Sequence, residues 1–434
     1  MRITAIKGFS DILPGEIENW QFVEDKARAV FSLYNFSEIR IPVLEKTELF
    51  SRSLGETTDI VEKEMYTFVD RDAGGTMLPP GPVAIRGSSL TLRPEGTAGV
   101  VRAYVESEMY KIEPVRKLFY LGPMFRRERP QKGRLRQFYQ IGAEVLGRAD
   151  PFADAELLLL LRDLFEMVGL DGVTLELNSL GCVSCRPGYR EKLLSFLKEK
   201  EKHLCGNCQR RLGRNPLRVL DCKEEICSRL TSEAPSIFGF LCQSCDDHFG
   251  TVKQLLGETG LEFKLNPRMV RGLDYYCRTA FEWTSSRLGS QNAVAAGGRY
   301  DGLAEELGGP ATPGVGFAMG MERIVHLLAI KENKKADRPQ IYFVWVGAKA
   351  RAWAFTASHK LRRAGLSVEM EGETKSLKSQ MRRADKVSAR YVLIVGDEEL
   401  TSNQGILRNM DSKEQCAVGL DRIEEEMLAR KAGA

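Results

Sequence analysis

The sequence predicts an α+β protein that is interrupted by a mostly helical segment and followed by a small α/β domain. Helix-like and strand-like periods succeed one another up to about residue 170 and again from about residue 258. The residues between them are rich in cysteine, basic residues and helix formers, and near the carboxyl end strands and helices alternate. We therefore divide the chain into a core of 1–170 and 258–330, an inserted mostly helical domain of 171–257, and a terminal domain of 338–434.

The composition is that of an ordinary globular protein. Of the 434 residues, 43% are apolar and 28% are charged, which excludes disordered, collagen-like and coiled-coil chains. The apolar run Leu157–Leu161 is far shorter than the roughly 20 residues that cross a bilayer. The amino-terminal segment lacks the apolar stretch of a signal peptide. We therefore expect a cytoplasmic protein with no membrane partner.

The first elements are a helix and a strand that contains proline. Between Ile17 and Tyr34, apolar residues recur every three or four positions, which indicates one buried helix face. From Phe36 to Leu44 the period changes to alternation, which predicts a strand. Because Pro42 cannot donate to a sheet ladder, this strand should lie at an edge or at a bend in an interface. A long helix that leads into such a strand indicates a dimer surface.

The remaining elements follow from the same periods and from Gly- and Pro-rich interruptions. Loops or linkers are expected at 71–89 and 331–339. In the core we expect strands at 90–93, 116–124, 137–145, 261–270 and 279–284, a Gly-rich stretch at 295–316, and helices at 154–168 and from Met319. In the terminal domain we expect strands at 341–346, 367–370 and 391–395 and helices at 350–364 and 377–388.

The charge is small overall but concentrated in one hairpin. Lys and Arg exceed Asp and Glu by 63 to 59, yet six basic residues and one Glu lie between Phe125 and Arg136. Arginine pairs bidentately with phosphate, so Arg126 can meet a polyphosphate, and Phe138 offers a face on which a purine can stack. A basic hairpin alone is more often a solvated surface. The nucleotide site therefore needs support from other motifs.

Three further segments combine glycine with polar side chains. Thr91–Ala98 carries Glu95 and Thr97 around a glycine, so both can face one pocket. Gly314–Arg323 is a Gly-rich strand that leads into a helix, although such a lead-in can equally serve close packing. Two more segments place an arginine beside aromatic and acidic residues: Val270–Tyr276 and Ala296–Leu303.

In this order, the segments resemble the class II aminoacyl-tRNA synthetases, and specifically the histidyl-tRNA synthetases. The first helix and the Pro42 strand resemble motif 1, Phe125–Glu128 resembles motif 2, and Gly320–Arg323 resembles motif 3. The histidine enzymes are indicated by three further segments: Arg271–Tyr276, Leu92–Thr97 and Ala296–Asp301. The resemblance covers almost the whole chain. It implies a catalytic core on a mainly antiparallel sheet, the class II synthetase fold, with an anticodon-binding domain at the end and assembly as a homodimer.

The resemblance also implies the reaction and the residues that carry it. Histidine would attack the α-phosphate of ATP, giving histidyl-adenylate and pyrophosphate, and would then pass to the 3′-terminal adenosine of tRNA-His. Mg²⁺ is expected with ATP. The implied catalytic residues are Arg126, Arg271 and Arg323. The implied histidine-binding residues are Glu95, Thr97, Arg126, Gln140, Glu144, Arg271, Tyr275 and Tyr276. The implied ATP-binding residues are Arg126, Glu128, Phe138 and Arg323, and the implied contacts to the tRNA acceptor end are Arg129 and Gln131.

Eight of the ten cysteines form four closely spaced pairs. They are Cys182 and Cys185, Cys205 and Cys208, Cys222 and Cys227, and Cys242 and Cys245. Disulfides are disfavoured in a reducing cytosol, and thiolates at this spacing predict structural zinc, in two four-cysteine sites or one overfilled site. Reduced thiols without metal and, less readily, an iron–sulfur cluster remain as alternatives.

Two other functions share this fold. A regulatory subunit of the histidine-biosynthetic phosphoribosyltransferase lacks the anticodon domain and part of the catalytic set. A degenerate RNA-binding or sensor protein would have lost catalytic arginines. This sequence retains the terminal domain together with Arg126, Arg271 and Arg323, so we favour the enzyme.

Overall fold

The structure is a computed structural model that describes residues 2–55, 58–70, 89–130, 133–289, 292–329 and 338–432. It divides into two compact units, Met1–Asn333 and Lys334–Ala434. The loop expected at 71–89 and the linker expected at 331–339 lie almost wholly outside the described residues. Among the described helices, none is both long and apolar enough to cross a membrane.

The first unit contains eleven described strands. They are β1 (Ser37–Glu38), β2 (Leu44–Lys46), β3 (Tyr66–Val69), β4 (Ser89–Leu92), β5 (Arg116–Phe125), β6 (Gln137–Leu146), β7 (Thr174–Ser179), β8 (Phe263–Leu265), β9 (Cys277–Thr284), β10 (Ala293–Arg299) and β11 (Gly314–Gly320). Its described α-helices are α1 (Ile17–Leu33), α2 (Thr47–Leu54), α3 (Thr97–Glu106), α4 (Met109–Ile112), α5 (Pro151–Met167), α6 (Arg186–Lys198), α7 (Gly206–Arg214), α8 (Glu225–Leu230), α9 (Gln243–Glu258), α10 (Leu303–Glu306) and α11 (Met321–Ala329).

The main sheet has eight strands in the order β1-β5-β6-β11-β10-β9-β7-β8. Its central pairs are antiparallel, and only the outer pairs β1 with β5 and β7 with β8 are parallel. The predicted mainly antiparallel core is therefore confirmed. The register sets Gln140 beside Gly320 and Glu144 beside Gly316, so residues of two distant motifs meet across one strand pair.

One face of this sheet is covered by apolar helices. On α1 the ring of Phe31 stacks on that of Phe119 from β5, with 4.4 Å between centroids. The leucine run of α5 is largely buried, with Leu157 and Leu161 fully so. Since both helices pack on this face, the functional side chains are left to the opposite side and the strand ends.

The prediction of one continuous strand from Phe36 to Leu44 is wrong. β1 pairs with β5, whereas β2 belongs to a separate three-stranded sheet with β4 and β3, and Pro42 lies between them. The guanidinium of Arg93 donates to the carbonyl oxygens of Ile41 (2.5 Å) and Pro42 (3.3 Å). The Arg93 side chain thus satisfies backbone acceptors that a neighbouring strand would pair in a continuous sheet. The alternation of apolar residues in the sequence does not indicate such a contact.

Two further strands differ from expectation. The strand expected at 261–270 is only Phe263–Leu265, and the Gly-rich stretch contains the strand β10. Here glycine is required by close approach rather than by a turn. A Cβ at Gly297 would lie 2.2 Å from the carbonyl oxygen of Gly316 on the neighbouring strand.

The inserted region is mostly helical and has its own apolar cluster. Tyr189, Leu193 and Leu212 pack there with buried cysteines. However, β7 pairs with β9 in the main sheet, and α9 packs on α5 with Val252 in the main core. We included both elements in the insertion of 171–257 because composition marked its limits. A strand of six residues and a core helix change that composition too little to be recognised.

The second unit is an α/β domain. Its described elements are β12 (Ile341–Val346), α12 (Ala348–Arg363), β13 (Val368–Met370), α13 (Leu377–Lys386), β14 (Tyr391–Gly396), α14 (Asp397–Ser402), β15 (Gln404–Asn409), β16 (Gln415–Gly419) and α15 (Ile423–Ala432). The sheet order is β13-β12-β14-β15-β16, parallel over the first three strands and antiparallel after them. The mixed α/β domain predicted from alternation is therefore present.

Candidate active site

Three arginines from distant segments line one cavity of about 530 Å³ in the first unit. Arg126 follows β5, Arg271 lies in the loop before β9, and Arg323 lies in the first turn of α11. The cavity is also lined by most of the other predicted residues: Glu95, Thr97, Glu128, Phe138, Gln140, Tyr275 and Tyr276. Three guanidinium groups that converge on one cavity suit a polyphosphate.

The hairpin of β5 and β6 supplies one wall. The Nε of Arg126 donates to the carbonyl oxygen of Pro94 (2.9 Å), and its guanidinium carbon lies 5.1 Å from the ring centroid of Phe138. The carboxylate of Glu128 is buried and lies 2.9 Å from the guanidinium of Arg134. An anchored arginine beside an exposed edge of an aromatic ring is an arrangement that binds a nucleotide.

The start of α11 supplies the opposite wall. Arg323 donates to the carbonyl oxygen of Ala293. Burial, together with nearby Arg134 and Arg126, lowers the pKa of Arg323, although an arginine stays protonated at neutral pH. Glu322 accepts from the backbone N–H of Tyr139 (2.8 Å), and burial raises its pKa to about 7. Sequence reasoning did not assign Glu322 to the site, yet it ties α11 to the hairpin.

Arg271 is held by a carboxylate and an aromatic ring. Its guanidinium forms an ion pair with Glu282 on β9 and lies 5.5 Å from the ring centroid of Tyr276. Burial opposes the charge of Arg271, but Glu282 and the neighbouring tyrosines outweigh it and raise the pKa. Glu282 also lines the cavity. Glu282 lies on the strand that follows the Arg271 loop, and only the folding of that loop back onto β9, which sequence does not reveal, brings the two side chains together.

The cavity floor at Glu95 and Thr97 rests on a buried polar cluster. Glu144, which we predicted to bind histidine, belongs to this cluster and is not among the residues that line the cavity. Glu95 accepts from the backbone N–H groups of Thr97 (2.7 Å) and Ala98 (2.9 Å) at the start of α3. The hydroxyl of Thr97 donates to Glu144 (2.7 Å), and the hydroxyl of Tyr300 donates to its other oxygen. Glu144 is fully buried, and burial raises its pKa to about 8. Burial therefore favours the protonated form of Glu144.

Gln140 presents a buried hydrogen-bond acceptor at the cavity. Its Oε1 is buried and has no hydrogen-bond partner among the described residues, while the side chain lines the cavity. A buried acceptor without a partner costs about 1–3 kcal/mol, so such groups in a cavity usually await a donor. A ligand ammonium group would supply one.

Two predicted segments lie partly or wholly elsewhere. Arg299, from the Ala296–Asp301 segment, points away from the cavity and is paired with buried Asp154 and with Asp301. Arg299 therefore stabilises the fold, while the hydroxyl of its neighbour Tyr300 donates to the carboxylate of Glu144. Arg129 is exposed and does not line the cavity, and Gln131 lies outside the described residues.

The eight paired cysteines form two compact groups. Cys182, Cys185, Cys242 and Cys245 make the first, and Cys205, Cys208, Cys222 and Cys227 make the second, with the sulfur atoms of each group within 4.8 Å of one another. We call them the first and second cysteine clusters. Cys182 and Cys185 have their Sγ atoms 3.6 Å apart, and those of Cys205 and Cys222 are 3.9 Å apart. Four sulfurs at about 2.3 Å from a tetrahedral metal lie about 3.8 Å apart, whereas a disulfide requires about 2.05 Å.

The antiparallel sheet and the arginine-lined cavity at its strand ends are those of a class II aminoacyl-tRNA synthetase. The family model described as histidyl-tRNA synthetase matches residues 8–324, and the model described as anticodon binding domain matches residues 340–430. The chain belongs to the histidyl-tRNA synthetase family.

Relatives cover the full length of the chain. It is 53% identical over 433 residues to the histidine–tRNA ligase of Syntrophotalea carbinolica, covering 100% of both chains. It is 54% identical over 428 residues to that of Geobacter sulfurreducens, covering 99% of each. The solved structure of histidyl-tRNA synthetase from S. aureus matches with a TM-score of 0.81 and 33% identity, covering 98% of this chain and 100% of that one.

Proposed function

We propose that the cavity activates histidine with ATP and transfers it to tRNA-His, which is the activity of a histidine–tRNA ligase. The observation that carries this proposal is the meeting of Arg126, Arg271 and Arg323 around one cavity. The alternatives fit less well. The anticodon-domain match over residues 340–430 argues against a regulatory subunit, and the intact arginines argue against a degenerate sensor.

In the first step, Arg126 and Arg271 contact the α-phosphate and the carboxylate of histidine. Negative charge accumulates on the pentacoordinate phosphorus, and cations that are already aimed at it lower the barrier without reorganising. Arg126 is fixed by Pro94 and Arg271 by Glu282, so both are held before substrate arrives. Mg²⁺ enters as the complex of ATP and neutralises charge on the phosphates.

The nucleotide base binds between Phe138 and Arg323, with its amino edge at Glu128. Phe138 lines the cavity on the hairpin, and Arg323 lines it from α11. The planar guanidinium stacks on an aromatic base, and the ring of Phe138 offers a second face. Glu128, which is buried beside Arg134, supplies an acceptor for the amino group.

Histidine is selected by the buried floor. Glu95, Thr97 and Gln140 bind its ammonium group, and the unpaired Oε1 of Gln140 supports that role. Glu144 and Tyr276 bind the imidazole, with Tyr275 packed against Tyr276 at 4.5 Å between ring centroids. An amino acid without matching groups leaves buried partners unpaired, which lowers its use by up to roughly 10⁴–10⁵.

Two parts of the tRNA are contacted, the acceptor end and the anticodon. We assign Arg129 and Gln131 to the acceptor end and residues 340–430 to the anticodon. The second unit presents basic side chains on α12, on α13 and just before β14, of which most are exposed: Lys360, Arg362, Arg363, Arg382, Arg383, Lys386 and Arg390. Basic surface of this kind favours RNA through release of counterions.

Each cysteine cluster holds one structural Zn²⁺. The fit rests on the sulfur spacing, which matches a tetrahedral four-thiolate site. Backbone N–H groups also point at the sulfurs, from Cys242 to Cys185 (3.1 Å) and from Cys205 to Cys227 (3.2 Å). A closed shell of four thiolates leaves no position for substrate, so the metal cross-links the helical insertion and takes no part in the reaction.

Two further assignments complete the proposal. We assign the protein to the cytoplasm, supported by its ten free cysteines and by relatives named as tRNA ligases. We assign a homodimer through α1 and the Pro42 segment, supported by exposed Leu33, Val43 and Leu44. Light scattering of the purified protein should give a mass near twice 48.7 kDa.

The decisive experiment is amino-acid-dependent exchange of labelled pyrophosphate into ATP. With a panel of the standard amino acids, we expect exchange with histidine and up to roughly 10⁴-fold less with the others. Transfer to tRNA-His should follow when the tRNA is added. Exchange with another amino acid and none with histidine would overturn the assignment.

A further inference from the structure

The loop that carries Arg271 is supported by the helical insertion. Residues 271–276 lie between β8 and β9, and Arg271, Leu273, Tyr275 and Tyr276 line the cavity. Asp274 is held from the core side, where its N–H donates to the carbonyl oxygen of Leu54 (3.2 Å). The other contacts described below come from the insertion.

Arg218 makes the central contact. It lies in the single turn Pro216–Val219 of the insertion and is 7% exposed. Its guanidinium donates to the carbonyl oxygen of Gly272 (2.7 Å) and to the carboxylate of Asp274 (3.2 Å). Both hydrogen bonds come from one terminal nitrogen of the guanidinium, which therefore joins a backbone carbonyl and a side chain of the loop immediately after Arg271.

Neighbouring residues of the insertion support the same loop. Asn215 donates to Asp274 (3.2 Å), and Arg186 donates to the carbonyl oxygen of Tyr276. The side chain of Val270 packs against the apolar cluster of the insertion. The insertion thus contacts both ends and the middle of the loop.

The cysteines of the second cluster flank Arg218 in the sequence. Cys205 and Cys208 precede it and Cys222 and Cys227 follow it, and the four sulfurs lie within 4.8 Å of one another. A bound metal therefore closes the chain on both sides of the Pro216–Val219 turn and removes much of its conformational freedom. Cys205 and Cys222 also line the cavity, so this cluster lies at its rim.

We infer that Arg218 is a positioning residue that holds the 271–276 loop in place, and that the second cysteine cluster holds Arg218 for this task. The consequence for catalysis rests on the proposed function, because it requires Arg271 to act on the activated phosphate. A misplacement of about 1 Å in a reacting group can cost roughly 10²-fold in rate. The insertion therefore acts on the first reaction step through Arg271.

The test compares Arg218→Ala and Arg218→Lys with the control Arg190→Ala. Arg190 is an exposed arginine of α6 that donates within the insertion, to the carbonyl oxygen of Arg214 (3.1 Å). In Arg218→Ala we expect faster amide hydrogen exchange across 270–276 and a roughly 10- to 100-fold lower kcat for histidine-dependent pyrophosphate exchange. Arg218→Lys should recover part of the amide protection and part of the kcat. The metal content should be unchanged in all three variants.

Each part of the inference has an outcome that rejects it. If amides 270–276 exchange no faster in Arg218→Ala than in Arg190→Ala, Arg218 does not position the loop. If they do exchange faster while kcat stays at the control value, the loop position does not govern the reaction. If the wild-type protein shows no histidine-dependent pyrophosphate exchange, the proposed function is rejected. Amide hydrogen exchange would still test whether Arg218 positions the loop.

The role of the cluster is tested by removing metal from the wild-type protein with a zinc chelator. We expect faster hydrogen exchange both in 205–227 and in 270–276, with residues 153–165 of α5 unchanged. Faster exchange in 205–227 alone, or a purified protein without metal, would overturn the part assigned to the cluster.

Discussion

Gly316 lies directly against the carboxylate of Glu144 on the neighbouring strand. A Cβ built at position 316 would lie 1.7 Å from Oε2 of Glu144 and 2.6 Å from the carbonyl oxygen of Ala143. Because the second of these atoms is backbone, the strand pair has no room for a larger residue. Close packing therefore explains Gly316, and Gly314 lies in the same way against the ring of Tyr300, so no dinucleotide site is required.

Replacing Gly316 tests whether this fit positions Glu144. We expect Gly316→Ala to displace the Glu144 side chain and to raise the KM for histidine at least about tenfold, while the KM for ATP changes less. Overpacking should also cost about 1–3 kcal/mol of stability. Steady-state pyrophosphate exchange and thermal unfolding measure the two effects. Gly213→Ala is the control, since nothing lies near its added Cβ; equal KM values for histidine in both variants would contradict the prediction.

The buried Glu144 should make the free protein less stable as pH rises. Burial raises its folded-state pKa to about 8, above the ordinary value of 4.5. The protonated form is therefore favoured in the folded state, so its contribution is full below about pH 4.5 and is lost as pH rises towards 8. One such group changes the free energy of unfolding by at most about 1.4 kcal/mol per pH unit.

Glu144→Gln should remove that slope. Chemical denaturation of the ligand-free protein at pH 5, 6, 7 and 8 should show a steeper loss of stability in the wild type than in Glu144→Gln. Glu166→Gln is a suitable control because the Glu166 side chain is 72% exposed. Parallel stability profiles for wild type and Glu144→Gln would mean that Glu144 does not titrate in this range.

Arg271 should be needed for the reaction and not for the fold. We expect Arg271→Ala to lower kcat/KM for pyrophosphate exchange by roughly 10²–10³, the usual cost of losing one preorganised group at the developing charge. Circular dichroism should show an unchanged fold, and Arg162→Ala, on the outer surface of α5, should retain activity. A variant with near wild-type exchange would exclude Arg271 from the first reaction step.

The two cysteine clusters should bind metal independently. Mass spectrometry of the native protein should find two zinc ions per chain, and Cys182→Ser and Cys205→Ser should each retain one. The reason is that the clusters share no ligand. One zinc ion in the wild type would leave one cluster as reduced thiols, and iron in place of zinc would favour the iron–sulfur alternative.

Much of the core could be predicted from local sequence. Helix α1 and the strands β5 and β6 have strong periods, and the motifs around Arg126, Glu95 and Arg323 are contiguous runs. The short and small-residue strands could not be predicted in the same way. β10 is made largely of alanine and glycine, so it has no apolar alternation, and it is a strand because its neighbours require close approach.

The sequence alone determined the residue types and the order of the motifs, and its resemblance to the histidyl-tRNA synthetases indicated which side chains should carry the chemistry. Only the tertiary structure decided which of them meet. It paired Arg271 with Glu282, turned Arg299 into buried support for Asp154, and sorted eight cysteines into two groups of four. Arg299 and Asp154 are 145 positions apart in the chain, and even Arg271 and Glu282, which are 11 positions apart, meet only through the tertiary packing of the loop on its strand. No local pattern specifies such pairings.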